Sequence, residues 1–298
     1  MSRGLVVETT GPLLTVQDLG RPGLASLGVP ESGALDADAL RLANRLVGND
    51  EGAAGLEATL GQVTVQARGS LVVAVTGAPV PVTVDGRGHG TGSAVTVPDG
   101  SRVELGAPAS GLRSYLAVRG GIAVEPLLGS ASTDLLSGLR QPLGEGDEIE
   151  VGPDPETPVP PLDQAPVRPP TSGVVELRVV LGPRHEWFRK RAVRTLAKTR
   201  WVVDQRSNRI GLRLDGPELE RKVTDELPSE GTVAGALQVP GNGRPVLFLA
   251  DHPVTGGYPV IAVVVTEDLP LAAQAAPGQE IRLRAVPGPD LSASGDPA

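Results

Sequence analysis

Asp251, His252, Thr255 and Tyr258 are the side chains whose types and spacing most suggest chemistry. They close the stretch GALQVPGNGRPVLFLADHPVTGGYPVIAV, residues 235–263, which reads strand, turn, strand, polar loop, strand. Gly241-Asn242-Gly243 is a turn signal between apolar runs. Val246 to Ala250 is a continuous apolar run, so a buried strand that stops abruptly at Asp251-His252. An acid, an imidazole, a hydroxyl and a phenol thus crowd a strand end beside Gly256-Gly257, an arrangement that suits a binding loop. The same residues also suit a hairpin turn whose Asp251 caps backbone N–H groups. Other chemistry is missing. His89, His185 and His252 show no metal-ligand spacing, so no metal site is expected. There is no G-x-S-x-G elbow and no Walker A loop, and the only Met is residue 1, so there is no Met-Lys-Met biotin-attachment sequence. The run Gly86 to Gly92 is glycine-rich but joins no strand to a helix, and it reads as a hairpin tip.

The elements that must position these residues follow from composition. The chain has 298 residues, 40% apolar but only 2% aromatic, so its core is built from Val, Leu, Ala and Ile. With 39 Gly and 29 Pro, this composition predicts many short strands and tight turns. A net charge of −8 argues against a nucleic-acid or anionic-membrane surface. The absence of cysteine excludes disulfides, thiolate metal sites and a Cys nucleophile, and it suits a cytoplasmic protein. The opening MSRGLVVETTGP lacks a signal-type apolar core, and no apolar run approaches membrane-spanning length.

Read in order, residues 4–17 alternate as a first strand, and 15–36 form a long loop with Asp18, Arg21, Glu31, Ser32 and Asp36. Asp36 is placed to cap a helix with Ala39, Leu40, Ala43, Leu46 and Val47 on one face, stopped at Gly48-Asn49. Asn44 lies on that face and must find buried partners. Glu57 precedes a series of short strands, and Ser130, Ser132, Thr133 and Asp134 make a hydroxyl-rich loop that either binds a ligand or caps a turn. Residues 152–172 are proline-rich and read as a semi-rigid linker. It separates a first domain, 1–151, from a second, 173–286, with a tail at 287–298 that reads as disordered. In the second domain, Pro183 to Lys198 reads as one helix and Leu269 to Ala275 as a short one. Both domains end alike, PLGEGDEIEV and AAPGQEIRLRAV, which suggests related β domains in tandem.

The motifs TVQDLGRPG (15–23), GVPESGALD (28–36), ANRLVGN (43–49), SYLAVRGGI (114–122), LGSASTD (128–134), SNRIGLRLDG (207–216), GALQVP (235–240) and ADHPVTGGYP (250–259) occur in this order. Together they resemble the biotin-dependent carboxyltransferase family, which includes the C-type component of 5-oxoprolinase, allophanate hydrolase subunit 2 and kinase-inhibitor antagonist proteins. The resemblance implies a mainly β fold of two tandem cyclophilin-like β-barrel domains with a few short helices. It implies a B-type 5-oxoprolinase partner (allophanate hydrolase subunit 1), with an A-type component in the bacterial system, and ATP-dependent opening of 5-oxoproline, a lactam, to glutamate. ATP belongs to the complex, and biotin enters only with a biotinylated partner. A urea carboxylase-type component and a non-catalytic antagonist of a kinase inhibitor are the alternatives. Relatives commonly carry Arg and Thr where this chain has His252 and Val254, so the loop most typical of the family is also where this chain departs from it.

The resemblance makes Asp251, His252 and Tyr258 the candidate catalytic residues. Asp251 would act as a base or orient His252, and Tyr258 would donate to a ligand. Arg21 and Arg209 would meet developing oxyanions. Gln238 would read an amide edge, with Gly256, Gly257 and Tyr115 completing the pocket. Asp18 and Glu57 would bind substrate or pair with Arg21 to hold the long loop.

Overall fold

The structure is a computed structural model and describes residues 3–288. Its alternating aliphatic runs form strands wherever one face can be buried. Val63–Arg68 shows the rule: Val63, Val65 and Ala67 point inward, while Thr64, Gln66 and Arg68 do not. The fold is mainly β, as expected, in two halves.

The first half holds a seven-stranded and a five-stranded sheet around one aliphatic core that includes Leu5, Val65, Val103 and Leu116. The five-stranded sheet runs Leu13–Gln17, Gly55–Thr59, Arg113–Val118, Leu71–Gly77, Ala94–Val97. Arg113–Val118 is buried along its whole length because helix α1 (Ala37–Leu46) covers its other face. Asp36 caps α1 by accepting from the Ala39 N–H at 3.0 Å, and Asn44 donates to the carbonyls of Ala53 and Glu51 at 2.7 and 3.3 Å. The glycine-rich run folds as an exposed hairpin in which Arg87–His89 pairs with Val82–Val84. Residues 152–172 contain neither helix nor strand and lie along the first half, where Arg119 donates to the carbonyls of Pro155 and Thr157.

The second half is a closed barrel. Its strands follow one another as Val175–Leu181, Val260–Val264, Ala236–Gln238, Val246–Phe248, Gly211–Asp215, Arg200–Val203 and Glu280–Ala285. The parallel pairing of Val175–Leu181 with Glu280–Ala285 closes the ring. Trp201, Leu177, Leu212, Leu237 and Ile281 fill it. The helix expected over 183–198 is interrupted. A 3₁₀ turn at His185–Trp187 gives way to extended Phe188 and Arg189 before helix α2 (Lys190–Lys198). Phe188 is buried in the barrel-side core, and its backbone pairs with Arg221, so tertiary pairing overrides helix propensity there. Of the tail, residues 289–298 lie outside the described residues.

The halves are stitched together. Leu35, from the first, packs in the core of the second. Gln274, just beyond the short helix α3 (Leu269–Ala273), reaches the other way. Its Oε1 accepts from the N–H groups of Leu112 and Arg113, both at 3.0 Å. Its Nε2 donates to Asp36 at 2.7 Å and to the Arg113 carbonyl at 3.0 Å. Burial pushes the Asp36 carboxyl up, and Gln274 and the Ala39 N–H pull it back. Gln274→Ala leaves several of these buried groups unpaired, at about 1–3 kcal/mol for each. Urea unfolding should show the loss, and an unchanged midpoint would mean that the amide does not hold the halves together.

Candidate functional site

Two neighbouring strand ends build the centre of the molecule. Gly211–Asp215 pairs antiparallel with Val246–Phe248, so the residues just before the first and just after the second lie side by side. The Asp251 N–H donates to the Arg209 carbonyl at 3.1 Å. The Arg209 guanidinium then grips the Asp251 carboxylate with two hydrogen bonds of 2.9 Å. Its Nη1 donates to Glu57 at 2.5 Å and its Nη2 to the Gly33 carbonyl at 2.7 Å. Arg209 and Asp251 are 0% exposed and Glu57 is 1% exposed.

Glu57 comes from the first half, on Gly55–Thr59, directly across from Tyr115. The Tyr115 hydroxyl donates to Glu57 at 2.8 Å, and the Leu35 N–H donates to the same oxygen at 3.0 Å. Arg113 stands 3.6 Å from Glu57 and donates to the Ala273 carbonyl. Burial alone would raise the Glu57 carboxyl, but Arg209 and Arg113 outweigh it and hold it below the usual carboxylate range. Burial likewise opposes charge on Arg209, and Glu57 and Asp251 more than restore it. Burial, with Glu57 and Asp36 near, pushes the Tyr115 phenol well above its ordinary value. Asp251 also accepts from Ser32 Oγ at 2.7 Å and from the Leu135 N–H at 3.0 Å.

Asp18 and Arg21 form a separate clasp. Asp18 accepts from Ser130 Oγ at 2.6 Å, Ser132 Oγ at 2.5 Å and the Ala131 N–H at 2.7 Å, so the hydroxyl-rich loop fastens the long loop. Arg21 is buried and donates to the carbonyls of Leu127 and Ser132. The expected pairing of Arg21 with Asp18 or Glu57 is not present as an ion pair among the described residues, because Asp18 turns to the serines and Glu57 to Arg209.

Beside the central cluster, a cleft of about 490 Å³ opens between Glu31, Ser32, Asp38 and Arg41 of the first half and His252 and Glu267 of the second. Domain interfaces are common ligand sites. Ser32 holds a left-handed φ of 55°, unusual for a serine, while its hydroxyl meets Asp251. His252 stacks on Phe248 with ring centroids 5.8 Å apart, and its Nδ1 lies 2.8 Å from the Pro253 carbonyl. That contact selects the Nδ1–H tautomer in the neutral ring and leaves Nε2 as the acceptor.

The other candidates gather on a separate patch. Tyr258 is 48% exposed, and its carbonyl accepts from Gln238 Nε2 at 3.0 Å. Thr255–Gly256 pairs with Glu230–Gly231. A Cβ on Gly256 would come within 2.5 Å of Gln238 Nε2, so a side chain there would push the Gln238 amide off the Tyr258 carbonyl. The structure thus brings Asp251, Arg209, Glu57 and Tyr115 into one cluster with His252 at its cleft, and it sets Tyr258, Gln238, Gly256 and Gly257 elsewhere. Arg221 lies over the Tyr258 ring at 5.8 Å and escaped sequence reading, because 218–234 shows no periodicity to place it. Ser32 was visible only as one polar loop residue; its positive φ carries no sequence signal.

Asp251→Asn leaves Arg209 short of a counter-charge and should cost about 3–5 kcal/mol. Glu57 sets a pH dependence. Its folded pKa is depressed, so its contribution is present above the ordinary carboxylate value and is lost as pH falls through the folded value. The urea midpoint should fall with acidification below about pH 4.5, and Glu57→Gln should start lower and flatten that fall. A variant as acid-sensitive as the parent would remove Glu57 as the cause.

Known proteins share this architecture. The family described as "Carboxyltransferase domain, subdomain A and B" matches residues 27–285. The chain is 38% identical to the C component of 5-oxoprolinase from Escherichia coli, over 93% of this chain and 89% of that one. It is 32% identical to urea amidolyase of Saccharomyces cerevisiae, but spans only 16% of that protein. Among solved structures, TTHA0988 superposes with a TM-score of 0.86 at 38% identity, over 95% of this chain and 55% of that one. The Kluyveromyces lactis urea carboxylase gives 0.88 at 28% identity, over 95% of this chain and 27% of the other. This chain spans about half of TTHA0988 and a smaller part of the urea enzymes. No helix among the described residues is long and apolar enough to cross a membrane. With most of its length matched, the chain belongs to the carboxyltransferase-domain family, subdomains A and B.

Proposed function

We propose that this chain is one component of an ATP-dependent 5-oxoprolinase that opens the lactam of 5-oxoproline to glutamate. The observation that carries this reading is the match to the C component of a 5-oxoprolinase along nearly the whole of both chains. A urea carboxylase-type role draws on relatives of which this chain is a small fraction.

The cleft at His252 is the proposed reaction site. His252 Nε2 would exchange a proton with the lactam nitrogen or the attacking water. Asp251 would act through others, fixing Ser32 and Arg209 rather than touching substrate. ATP is assigned to the partner, because the glycine-rich run of this chain is an exposed hairpin and not a phosphate cradle between strand and helix. Biotin would serve only if a partner chain carries it. The partner is a B-type 5-oxoprolinase component (allophanate hydrolase subunit 1), joined by an A-type component, and dependence on ATP suits a cytoplasmic complex.

Co-expression with the B-type and A-type chains, followed by an assay for ATP-dependent glutamate release, tests the reading. The full set should turn over. His252→Gln should reduce kcat about 100-fold or more while the complex still assembles. No turnover by the full set, together with tight binding of the B-type chain, would favour a regulatory binding module instead.

A further inference from the structure

Helix α1 obeys the charge rules of a helix. Asp36 caps it, Asp38 stands in its first turn and pairs with Arg41 at 3.3 Å, and Arg45 stands in its last turn. Helix α2 breaks them. Arg189, at its N-cap position, makes no side-chain cap, and Lys190 and Arg191 put positive charge at the positive end of the helix dipole. Lys190, Arg194 and Lys198 follow at intervals of four, so like charges stand one turn apart along a single stripe. No acidic residue stands between Glu186 and Asp204, and that segment holds six of the chain's 27 basic residues, leaving 21 against all 35 acidic ones elsewhere.

All six are exposed. Arg189 pairs with Glu220 at 3.2 Å and Arg200 with Glu280 at 3.0 Å. Lys190, Arg191, Arg194 and Lys198 form no ion pair among the described residues. Ala192 and Leu196 hold the helix in the barrel-side core, so its charge serves no contact within this chain. The stripe from Lys190 to Lys198 runs about 12 Å, too long for one small anion and suited to a row of carboxylates. With the apolar face buried, nothing is left to insert into a bilayer. Phe188 and Trp201 are buried and Trp187 packs against the same core, so no ring of the segment is free to stack on a base. The acidic remainder of the chain repels an extended polyanion such as nucleic acid. A local patch of carboxylates on a protein meets the stripe without bringing charge along the rest of the surface.

We infer that the exposed stripe of α2 is a docking surface for a protein whose facing patch is rich in Asp and Glu; that this protein is the B-type component rests on the 5-oxoprolinase reading above. Lysine chemistry reads the surface directly, because two of the three lysines of the chain, Lys190 and Lys198, lie on it. A carbodiimide joins a lysine amine to a carboxylate in contact with it. In the complex of the full chain with the B-type chain, Lys190 and Lys198 should cross-link to Asp or Glu of that chain. Raising NaCl from about 50 to about 300 mM should slow association about 10-fold or more. Lys190→Gln/Arg194→Gln/Lys198→Gln should associate about 10-fold more slowly at the lower salt, lose most of the salt dependence and dissociate much as the parent does. Its urea midpoint should equal or exceed the parent's, since like-charge contacts are removed. Arg68→Gln/Arg87→Gln/Arg102→Gln, which removes equal charge from the first half, should leave the association rate within about 2-fold of the parent's.

An association rate unchanged in the α2 variant, or an associated complex without cross-links at either lysine, would overturn the docking surface; loss of DNA-duplex binding in that variant would then assign the helix to nucleic acid. Cross-links to a second copy of this chain, with salt-dependent self-association, would overturn the partner and make α2 a self-contact. If the B-type chain does not associate at all, the functional reading fails alone, and an oligoglutamate peptide decides the surface. At low salt it should cross-link to Lys190 and Lys198 of the isolated full chain, and its failure to do so would overturn the inference.

Discussion

The guanidinium of Arg209 sits between Glu57 of one half and Asp251 of the other, sealed from water. Desolvating these charges is costly, and their attraction offsets that cost only because each guanidinium nitrogen and carboxylate oxygen finds a partner. Ser32, the Leu35 and Leu135 N–H groups, the Tyr115 hydroxyl and the Gly33 carbonyl provide those partners. The long loop, helix α1 and the barrel rim therefore adopt the arrangement that satisfies this cluster. An apolar plug could fill the same space, but it would not dictate which strand ends meet.

This cluster also sets what the neighbouring side chains are free to do. Asp251 is bound on both oxygens, so its effect is exerted through the Ser32 hydroxyl and the Arg209 plane. His252, one residue on, stacks on Phe248 and borders the cleft. Adjacent residues in one loop thus divide into an anchor and a largely buried imidazole at the cleft wall.

Much of this was legible in the residues. The Asp36 cap, the apolar face of α1 and the need to satisfy Asn44 followed from spacing, since a helix imposes its own period. The buried strand before Asp251 followed from its unbroken apolar run, although it stops at Phe248. The break at Phe188 did not, because it is caused by pairing with Arg221, 33 positions away by number. Arg209, Glu57 and Asp251 could be picked out as a polar set, but which of them face each other depends on the juxtaposition of two halves that no local pattern encodes. Arg221 stayed hidden for the same reason: its partner is an aromatic face supplied by another loop.

Leu35 in the barrel-side core and Gln274 between strand ends of the first half have a thermodynamic consequence. Each half contributes to the interior of the other, so neither keeps its own solvation when they part. The stretch 152–172 then acts less as a hinge than as a covalent tether across an interface that already holds. Cutting it should leave a noncovalent pair that melts in one transition. In longer relatives, what is carried as a module is the interlocked pair, not either barrel-like unit singly.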